Sequence, residues 1–261
     1  MDKPPVVVIT GASSGIGAAA AILFGKNGYR VVLAARRQNE LELLADEIRK
    51  DGGIALPIPT DVTDLDQLNR LVDRIILEFD QIDILFNNAG FGRMNWLHLM
   101  DPDGDIDLQL RVNLFGLIHT SRLVLPHMIK KQHGHIINMA SIAGLIATPT
   151  YSIYAASKFA VRGFTQALRR EVKRFGISVS GIYPGGVVSE FSMNSGTKPN
   201  LGMTTPKILL LSTEDIAKVV LRVAKKPRRM VVVPRIMLPL IWMNRILPGF
   251  VDWTIQKAIA K

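Results

Sequence analysis

Short apolar runs alternate with longer segments of helical pattern in the amino-terminal part of the chain. Apolar runs at 6–9, 31–35 and 54–58 are separated by the segments 15–28 and 40–50, which have the pattern of helices. This alternation predicts a β–α–β–α–β unit at the start of the fold.

The same alternation continues toward the carboxyl terminus. Further elements are predicted as helices at 64–79, 105–130 and 157–175, and as strands at 84–87, 136–138, 178–182 and 230–233. The strands are continuous runs rich in Val, Ile and Leu, which is typical of a parallel sheet buried under helices. We therefore predict an α/β fold in a single domain, a doubly wound parallel sheet with helices on both faces.

No internal repeat and no Ser/Gly linker divides the chain. The segment 191–212, rich in Ser, Thr, Gly and Pro, is the long irregular piece before the carboxyl-terminal tail. Because long loops inside compact domains are usually functional, we expect this segment to be a substrate lid. We assign residues 1–229 to the main domain, and 230–261 to the last strand and a basic, apolar tail packed on the same domain.

The composition fits one large folded domain. Hydrophobic residues make up 48% of the 261 residues and charged residues 21%, so the chain can bury a sizeable core and is not intrinsically disordered. The absence of cysteine excludes disulfide scaffolds, thiolate metal sites and cysteine nucleophiles. The five histidines lie outside the motifs below, and we predict no metal site. No secretory signal is visible, so we expect a cytoplasmic protein.

The net charge of +10 is concentrated at one end of the chain. Residues 220–261 contain nine Lys and Arg and one acid, so this segment carries +8 and the other 219 residues carry only +2. An excess confined to one end does not make the whole chain a nucleic-acid binder. We predict one basic surface near the carboxyl terminus and no nucleic-acid partner.

A glycine-rich segment follows the first predicted strand and opens the first helix. Glycines in the spacing G-x-x-x-G-x-G allow a tight turn, let the backbone approach a pyrophosphate and bring that anion to the positive end of the helix. An ordinary β–α turn would also explain glycines at this place. The cofactor-binding residues predicted here are Gly11, Ser13, Ser14, Gly15, Ile16 and Gly17.

The residues after the second and third strands indicate which dinucleotide binds. NAD-binding sheets have an acid after the second strand that accepts the ribose hydroxyls, whereas this chain has Arg36 and Arg37. A guanidinium can hold a ribose phosphate through paired hydrogen bonds, so we predict NADP(H); the alternative is that both arginines only solvate the strand end. Asp61 and the amide of Val62 are predicted to bind the adenine amino group, although Asp61 could equally cap a helix.

Seven segments in the first three quarters of the chain resemble, in order, the motifs of the short-chain dehydrogenases/reductases. The matching segments are 10–17, 61–62, 87–90, 112–116, Ser141, 154–158 and 184–189. Each is common by chance, but the ordered set is not. The resemblance implies a Rossmann-like fold, a nicotinamide cofactor, and hydride transfer that interconverts a carbonyl and an alcohol.

In that family a serine, a tyrosine and a lysine form the reactive centre, which here implies Ser141, Tyr154 and Lys158. Tyr154 and Lys158 are four residues apart, so a helix would place both side chains on one face. The ammonium and the oxidised nicotinamide would lower the pKa of the phenol, which then exchanges a proton with the substrate. Ser141 would hydrogen-bond the substrate oxygen. The resemblance also implies that Asn113 holds a water linking Lys158 to solvent.

Two further strand ends complete the cofactor site that the resemblance implies. After the fourth strand, small residues let the adenosine part of the cofactor lie against the backbone. After the sixth strand, a Pro-Gly pair contacts the nicotinamide, and the amide of Val187 or Val188 binds its carboxamide. The residues predicted at these two ends are Asn88, Ala89, Gly90, Pro184, Gly185, Val187 and Ser189, the last standing where the family often has threonine.

The tail, 230–261, is apolar and basic. Its longest charge-free run, 236–244, contains a proline and is far shorter than the roughly 20 residues that a bilayer span needs. Trp242 and Trp253 alternate with cations, which suits the interface of an anionic membrane. Alternatively, the tail covers the substrate pocket or forms a subunit interface. Each interpretation brings apolar surface near the site, so we expect a lipophilic substrate.

The predicted activity is NADP(H)-dependent interconversion of a ketone or aldehyde with an alcohol, with Tyr154 as general acid/base. The resemblance further implies a homodimer or homotetramer. One alternative is an NAD-linked alcohol dehydrogenase. Another is a cofactor-sensing or membrane-surface protein that keeps the fold without turnover, which the intact Ser141, Tyr154 and Lys158 disfavour.

Overall fold

Seven parallel strands form one sheet in the order β3-β2-β1-β4-β5-β6-β7 in the computed structural model, which describes residues 3–188 and 210–259. The strands are β1 Val6–Thr10, β2 Arg30–Ala35, β3 Ile54–Pro59, β4 Ile84–Asn87, β5 Gly134–Met139, β6 Ile177–Pro184 and β7 Met230–Val233. The direction of strand addition reverses between β1 and β4, and ligands of such sheets bind outside the carboxyl ends of the strands at this reversal. The predicted parallel sheet is confirmed.

Helices cover both faces of the sheet. They are α1 Gly15–Lys26, α2 Gln38–Lys50, α3 Leu65–Phe79, α4 Leu108–Leu110, α5 Leu117–Lys131, α6 Ser152–Glu171, α7 Thr213–Lys225, α8 Leu238–Ile246 and α9 Pro248–Ile259. Val7 and Ile9 of β1 pack in a core with α1, α2 and α7, while Val6 and Val8 pack in a second core with α3, α5 and α6. Alternate side chains of a strand point to opposite faces, so one buried strand contributes to both cores.

The predicted helix 105–130 is interrupted by wider turns. The π-helical segments Pro102–Asp107 and Arg111–Gly116 flank α4, and α5 begins only at Leu117. A π turn adds one residue to the helical repeat, and apolar periodicity alone does not resolve so small a change. The second π segment contains Asn113.

α6 begins at Ser152 instead of the predicted residue 157. Its N-cap, Tyr151, makes no side-chain capping hydrogen bond, so the start lacks the Ser, Thr, Asp or Asn signal that marks many helices. The earlier start includes Tyr154 in the same helix as Lys158.

The carboxyl-terminal part contains three helices that the sequence pattern did not predict, α7, α8 and α9. Met237, Leu238 and Ile241 pack against a buried cluster that includes Leu145 and Tyr183, so the start of α8 is held on the body of the protein. The predicted lid, 191–212, lies outside the described residues except for 210–212.

The prediction of one basic surface is wrong. Arg222, Lys225 and Lys226 line a groove beside α1, on the face of the sheet that α7 covers. Arg235 and Arg245 belong to the segment that packs with α5 and α6 on the other face. The two basic groups separate because α7, before β7 in the chain, packs on one face of the sheet and the segment after β7 packs on the other.

Candidate active site

The glycine-rich segment forms the tight turn between β1 and α1. Gly11 has a φ of 65°, and a Cβ at Gly17 would lie 2.2 Å from the Gly11 carbonyl oxygen, so both positions require glycine. Ser14 is the N-cap of α1, but its side chain makes no capping hydrogen bond, and the first turn contains no acid. The first amides of α1 therefore have no side-chain cap and suit an anion. Ile16 packs its side chain against the core, which leaves only its backbone for a ligand.

Arg36 and Arg37 follow β2 and are exposed beside this turn. The Arg37 guanidinium donates from Nε and Nη2 to the Ser13 hydroxyl, at 3.2 and 3.1 Å. Arg36 makes no hydrogen bond or ion pair with any residue that the structure describes. Two cations therefore adjoin the glycine-rich turn, and one of them is tied to it.

Asp61 lies after β3 and does not cap α3. The cap is Asp64, whose side chain accepts hydrogen bonds from the amides of Asp66 and Gln67. Asp61 instead uses Oδ1 to accept from the amide and hydroxyl of Thr63, at 2.9 and 2.8 Å. Its Oδ2 has no hydrogen-bond partner among the described residues, so this oxygen can accept from a ligand.

Val62 is packed between the end of β3 and the second π segment. A Cβ at Gly116 would lie 2.8 Å from the Val62 Cγ2 atom and 3.0 Å from its carbonyl oxygen. Close packing against Gly116 therefore fixes Val62, one of the two residues predicted from the sequence to bind adenine.

Asn88 and Ala89 join the end of β4 to the end of β1. Both backbone amides donate to the Thr10 hydroxyl, at 3.0 and 3.1 Å. The Asn88 side chain donates from Nδ2 to the carbonyl oxygens of Thr10 and Gly11, at 3.1 Å each. The side chain of Asn88 thus holds the glycine-rich turn in place.

Asn113 supports the loop that follows β4. Its side chain accepts from the Phe91 amide at 2.9 Å and donates to the Phe91 carbonyl at 2.8 Å, and it donates to the Ser157 hydroxyl at 3.3 Å. A Cβ at Gly90 would lie 2.9 Å from the Asn113 Oδ1 atom and 3.7 Å from the Lys158 Nζ atom. Gly90 therefore leaves room beside both polar groups. The water-holding role of Asn113 stays a prediction.

Ser141, Tyr154 and Lys158 meet at the carboxyl end of β5. The hydroxyl of Ser141 is hydrogen-bonded to the phenol of Tyr154 and accepts from the Ala143 amide at 3.1 Å. The Lys158 ammonium lies 5.6 Å from the centre of the Tyr154 ring and donates to the Met139 carbonyl oxygen at 3.1 Å. Three groups capable of proton exchange are thus held together by β5 and α6.

Burial changes the acidity of two of these groups. It raises the pKa of Tyr154 to about 12, against the opposing effect of the Ser141 hydrogen bond, and it lowers the pKa of Lys158 to about 8. The expectation that Lys158 brings the Tyr154 pKa toward neutral is therefore not met by the protein groups alone. Desolvation is the largest cause of both shifts because both side chains are enclosed.

The end of β6 is held by β7 and by the start of the segment that leads to α7. Gly185 donates to the Val233 carbonyl at 2.7 Å, one residue beyond Pro184. Val188 donates to the Leu211 carbonyl at 3.0 Å, so its amide is already used. The Val187 amide has no acceptor among the described residues, which makes it the better of the two predicted donors. Ser189 lies outside the described residues.

Residues 5–200 match a family model described as short chain dehydrogenase. The chain belongs to this family. It is therefore an oxidoreductase of the short-chain dehydrogenase type, and the resemblance on which the Rossmann-like fold was predicted is confirmed.

Similar proteins bind both kinds of nicotinamide dinucleotide. A short-chain dehydrogenase/reductase from Burkholderia phymatum, solved with NAD, has a TM-score of 0.83 and 26% identity, over 94% of this chain and 95% of that one. A metagenomic short-chain oxidoreductase, solved with NADP, has a TM-score of 0.74 and 31% identity, over 88% and 95%. A fatty acyl-CoA reductase of Acinetobacter baylyi is 38% identical over 182 residues, which are 69% of this chain and 62% of that protein. Membership in the dehydrogenase family therefore does not identify the cofactor or the substrate. Both depend on the residues of this chain that line the site.

Two supporting residues were not identified from the sequence. Thr10 accepts both amides that follow β4, and its place directly before the first glycine could have indicated this role. Gln109 is fully buried, accepts from the Arg93 amide at 2.9 Å and donates to the Asp105 carbonyl at 3.0 Å. No sequence signal marks Gln109, because its partners come from the loop after β4 and from the first π-helical segment of the dehydrogenase.

Proposed function

We propose that the protein is an NADP(H)-dependent oxidoreductase that interconverts a ketone or aldehyde with an alcohol, with Tyr154 as general acid/base. The observation that carries this proposal is the joined group of Ser141, Tyr154 and Lys158 at the carboxyl end of β5. A buried tyrosine with a hydroxyl partner on one side and a cation on the other has the composition of a proton-transfer site.

The residues at the reversal of the sheet fit a dinucleotide cofactor. The turn at Gly11 and Gly17 has no space for side chains, and the amides of α1 beyond it have no side-chain cap, which suits a pyrophosphate. We assign Arg36 and Arg37 to the ribose phosphate of NADP and the free oxygen of Asp61 to the adenine. When bound, the nicotinamide supplies or accepts the hydride.

The protein's own groups supply the proton. With a pKa of about 12, Tyr154 is protonated at neutral pH and donates its proton to the substrate oxygen during reduction. Lys158, with a pKa of about 8, is largely protonated at neutral pH and stabilises the phenolate that remains. Ser141 holds the substrate oxygen through a hydrogen bond. In oxidation the same proton returns to Tyr154.

We propose a lipophilic substrate. Ile142, the residue after Ser141, packs in the same cluster as Met237, Leu238 and Ile241, so apolar groups of the tail lie on the substrate side of the fold. The similarity to a fatty acyl-CoA reductase supports an apolar substrate, although the match covers only 62% of that protein.

We also propose a homo-oligomer. Leu108 of α4, Phe115 of the second π segment and Phe159 of α6 are exposed large apolar side chains, at 39%, 49% and 39% exposure. A second copy of the chain would remove them from water. Sedimentation velocity tests this proposal, because a monomer at all protein concentrations would contradict it.

The function is tested by oxidation of NADPH and, separately, of NADH with a series of carbonyls graded from polar to lipophilic. We expect turnover with NADPH that increases with lipophilicity. Tyr154→Phe should lower the turnover number by about 100- to 10,000-fold because it removes the proton donor, while Tyr29→Phe serves as a control. A tenfold higher kcat/KM with NADH would favour the NAD-linked alternative, and tight NADPH binding without any turnover would favour a sensor.

A further inference from the structure

The two carboxyl-terminal helices expose a set of large apolar side chains. We call this set the tail surface. It consists of Ile236, Trp242, Ile246, Leu247, Phe250 and Trp253, each at least half exposed. Clusters of this size and kind on a protein surface usually mark a contact with a partner or a membrane.

The tail surface is distinct from the part of α8 that packs inward. Leu238 and Ile241 contact the buried cluster, while Trp242 and Ile246, one helical turn apart, are 60% and 65% exposed. In α9 the rings of Phe250 and Trp253 stack at 6.0 Å. One side of the helix pair thus anchors it to the protein, and another side presents apolar groups to the outside.

Cations accompany these apolar groups. Arg235, Arg245 and Lys257 are exposed, and Asp252 is the one acid in the last forty-six residues of the sequence. The Lys257 ammonium lies 4.0 Å from the centre of the Trp253 ring. Tryptophan with neighbouring lysine and arginine is the combination that binds the headgroup region of anionic bilayers.

We propose that α8 and α9 dock the protein on membranes that contain anionic lipid. The tail surface enters the interface, and Arg235, Arg245 and Lys257 contact the headgroups. None of the helices in the part of the chain that the structure describes has both the length and the apolar content of a bilayer span. A second copy of the same surface is a poorer partner, since a symmetric contact would bring cations against cations.

Docking would also bring the candidate active site close to lipid, a consequence that rests on the proposed function. Ile142 beside Ser141 belongs to the same packed cluster as Ile241 of α8. A substrate dissolved in the membrane would then reach the site without crossing water. The docking itself does not depend on catalysis, and its test is independent of turnover.

The test is co-sedimentation of the full chain with phosphatidylcholine vesicles, with and without phosphatidylserine. We expect binding to the anionic vesicles, weakened by salt. The triple variant Arg235→Gln, Arg245→Gln, Lys257→Gln should lower the partition coefficient on the order of 100-fold, from about fivefold per cation at the surface. The double variant Trp242→Ala, Trp253→Ala should also lose binding.

Matched controls are exposed residues of the same kind on other helices. Leu43→Ala with Leu77→Ala tests exposed apolar groups, and Lys50→Gln with Lys130→Gln tests exposed cations. Binding that falls equally in these controls would overturn the proposal, as would a wild-type chain that stays in the supernatant. Tail variants that dissociate an oligomer while vesicles bind nothing would assign the surface to a second copy instead.

Two further measurements keep the result independent of folding and of catalysis. The tryptophan emission of the wild-type chain should shift to shorter wavelength with anionic vesicles alone, which requires no variant. Turnover of a water-soluble carbonyl should be unchanged in the tail variants. If no carbonyl turns over but the vesicles still bind the chain, the proposed function fails and the docking stands.

Discussion

Tyr154 and Lys158 are enclosed by the protein, at 7% and 4% exposure, whereas Arg36 and Arg37 extend into solvent at the other end of the candidate site. The enclosed pair has pKa values displaced by burial in the two opposite directions. The exposed pair lies beside the glycine-rich turn, and within the described part of the chain Arg37 is hydrogen-bonded to that turn while Arg36 is not.

Buried and exposed charged residues therefore have different effects on acidity, stability and ligand binding. Enclosed titratable groups acquire altered acidity, and the fold loses stability by desolvating them. Exposed arginines remain accessible to a ligand and can be replaced at little cost to the fold. We therefore expect substitutions in the buried region to change turnover and stability together, and substitutions in the exposed region to change cofactor choice alone.

The largest effect is expected from Lys158→Met. Because burial lowers the pKa of Lys158 to about 8, the unfolded chain binds this proton more tightly than the folded protein does. The destabilisation caused by burying the charged ammonium has its full size below pH 8 and disappears as the pH rises to the ordinary pKa of lysine. The variant should lose about 100-fold or more in turnover, yet gain about 1–2 kcal/mol in the free energy of unfolding at pH 7.

Steady-state turnover and urea unfolding at pH 7 and pH 10 check this prediction. The gain in stability should be present at pH 7 and reduced to about a quarter of that value at pH 10, just below the ordinary lysine pKa. Lys130→Met, on the surface of α5, is the control for loss of a lysine charge. A Lys158→Met chain that is less stable than the wild type at pH 7 would contradict the claim that burial of this ammonium costs the fold stability.

A smaller effect on activity is expected at the exposed end. Arg36→Ala and Arg37→Ala should each raise the KM for NADPH by about 10- to 100-fold, because each removes charge-assisted hydrogen bonds to the ribose phosphate. The KM for NADH should change little, and Arg170→Ala on α6 should change neither. If Arg37→Ala weakens both cofactors equally, its role is to hold Ser13 instead of binding phosphate.

The smallest effect on activity is expected at His135, which is buried far from both groups. Its Nε2 lies 2.8 Å from the Ser180 hydroxyl, and burial lowers its pKa to about 4. Between pH 6.5 and pH 4 the unfolded chain binds a proton that the folded protein does not. The stability from the neutral ring is therefore fully present above pH 6.5 and decreases as the pH falls toward 4.

His135→Gln should remove about 2 kcal/mol of the difference in unfolding free energy between pH 7 and pH 5. Turnover at pH 7 should be unchanged. The matched control is His133→Gln, since His133 is exposed two residues away. An equal change in the His133 variant would mean that burial of the ring is not the cause.

The sequence was sufficient wherever local spacing decides the structure. Continuous apolar runs predicted the parallel strands, and the glycine spacing predicted the turn after β1. The four-residue separation of Tyr154 and Lys158 predicted that they share a helix face. The family relation followed from the order of such motifs and was confirmed.

The errors occurred where partners come from distant parts of the chain. The basic residues near the carboxyl terminus divide between two faces of the sheet, although they are close in sequence. The π turn at Asn113 was not predicted, and there the Asn113 side chain is hydrogen-bonded to the Phe91 backbone, twenty-two residues away.

By itself, then, the sequence determined the parallel strands, the helices between the first of them, and the family, since hydrophobic period and motif order are properties of neighbouring residues. Only the tertiary structure decided the acidity of Tyr154 and Lys158, because a pKa depends on how much water all surrounding elements exclude. It also decided which side of the tail is anchored and which is exposed. Packing selects one face of a helix and leaves the other to its surroundings, and no local pattern specifies that choice.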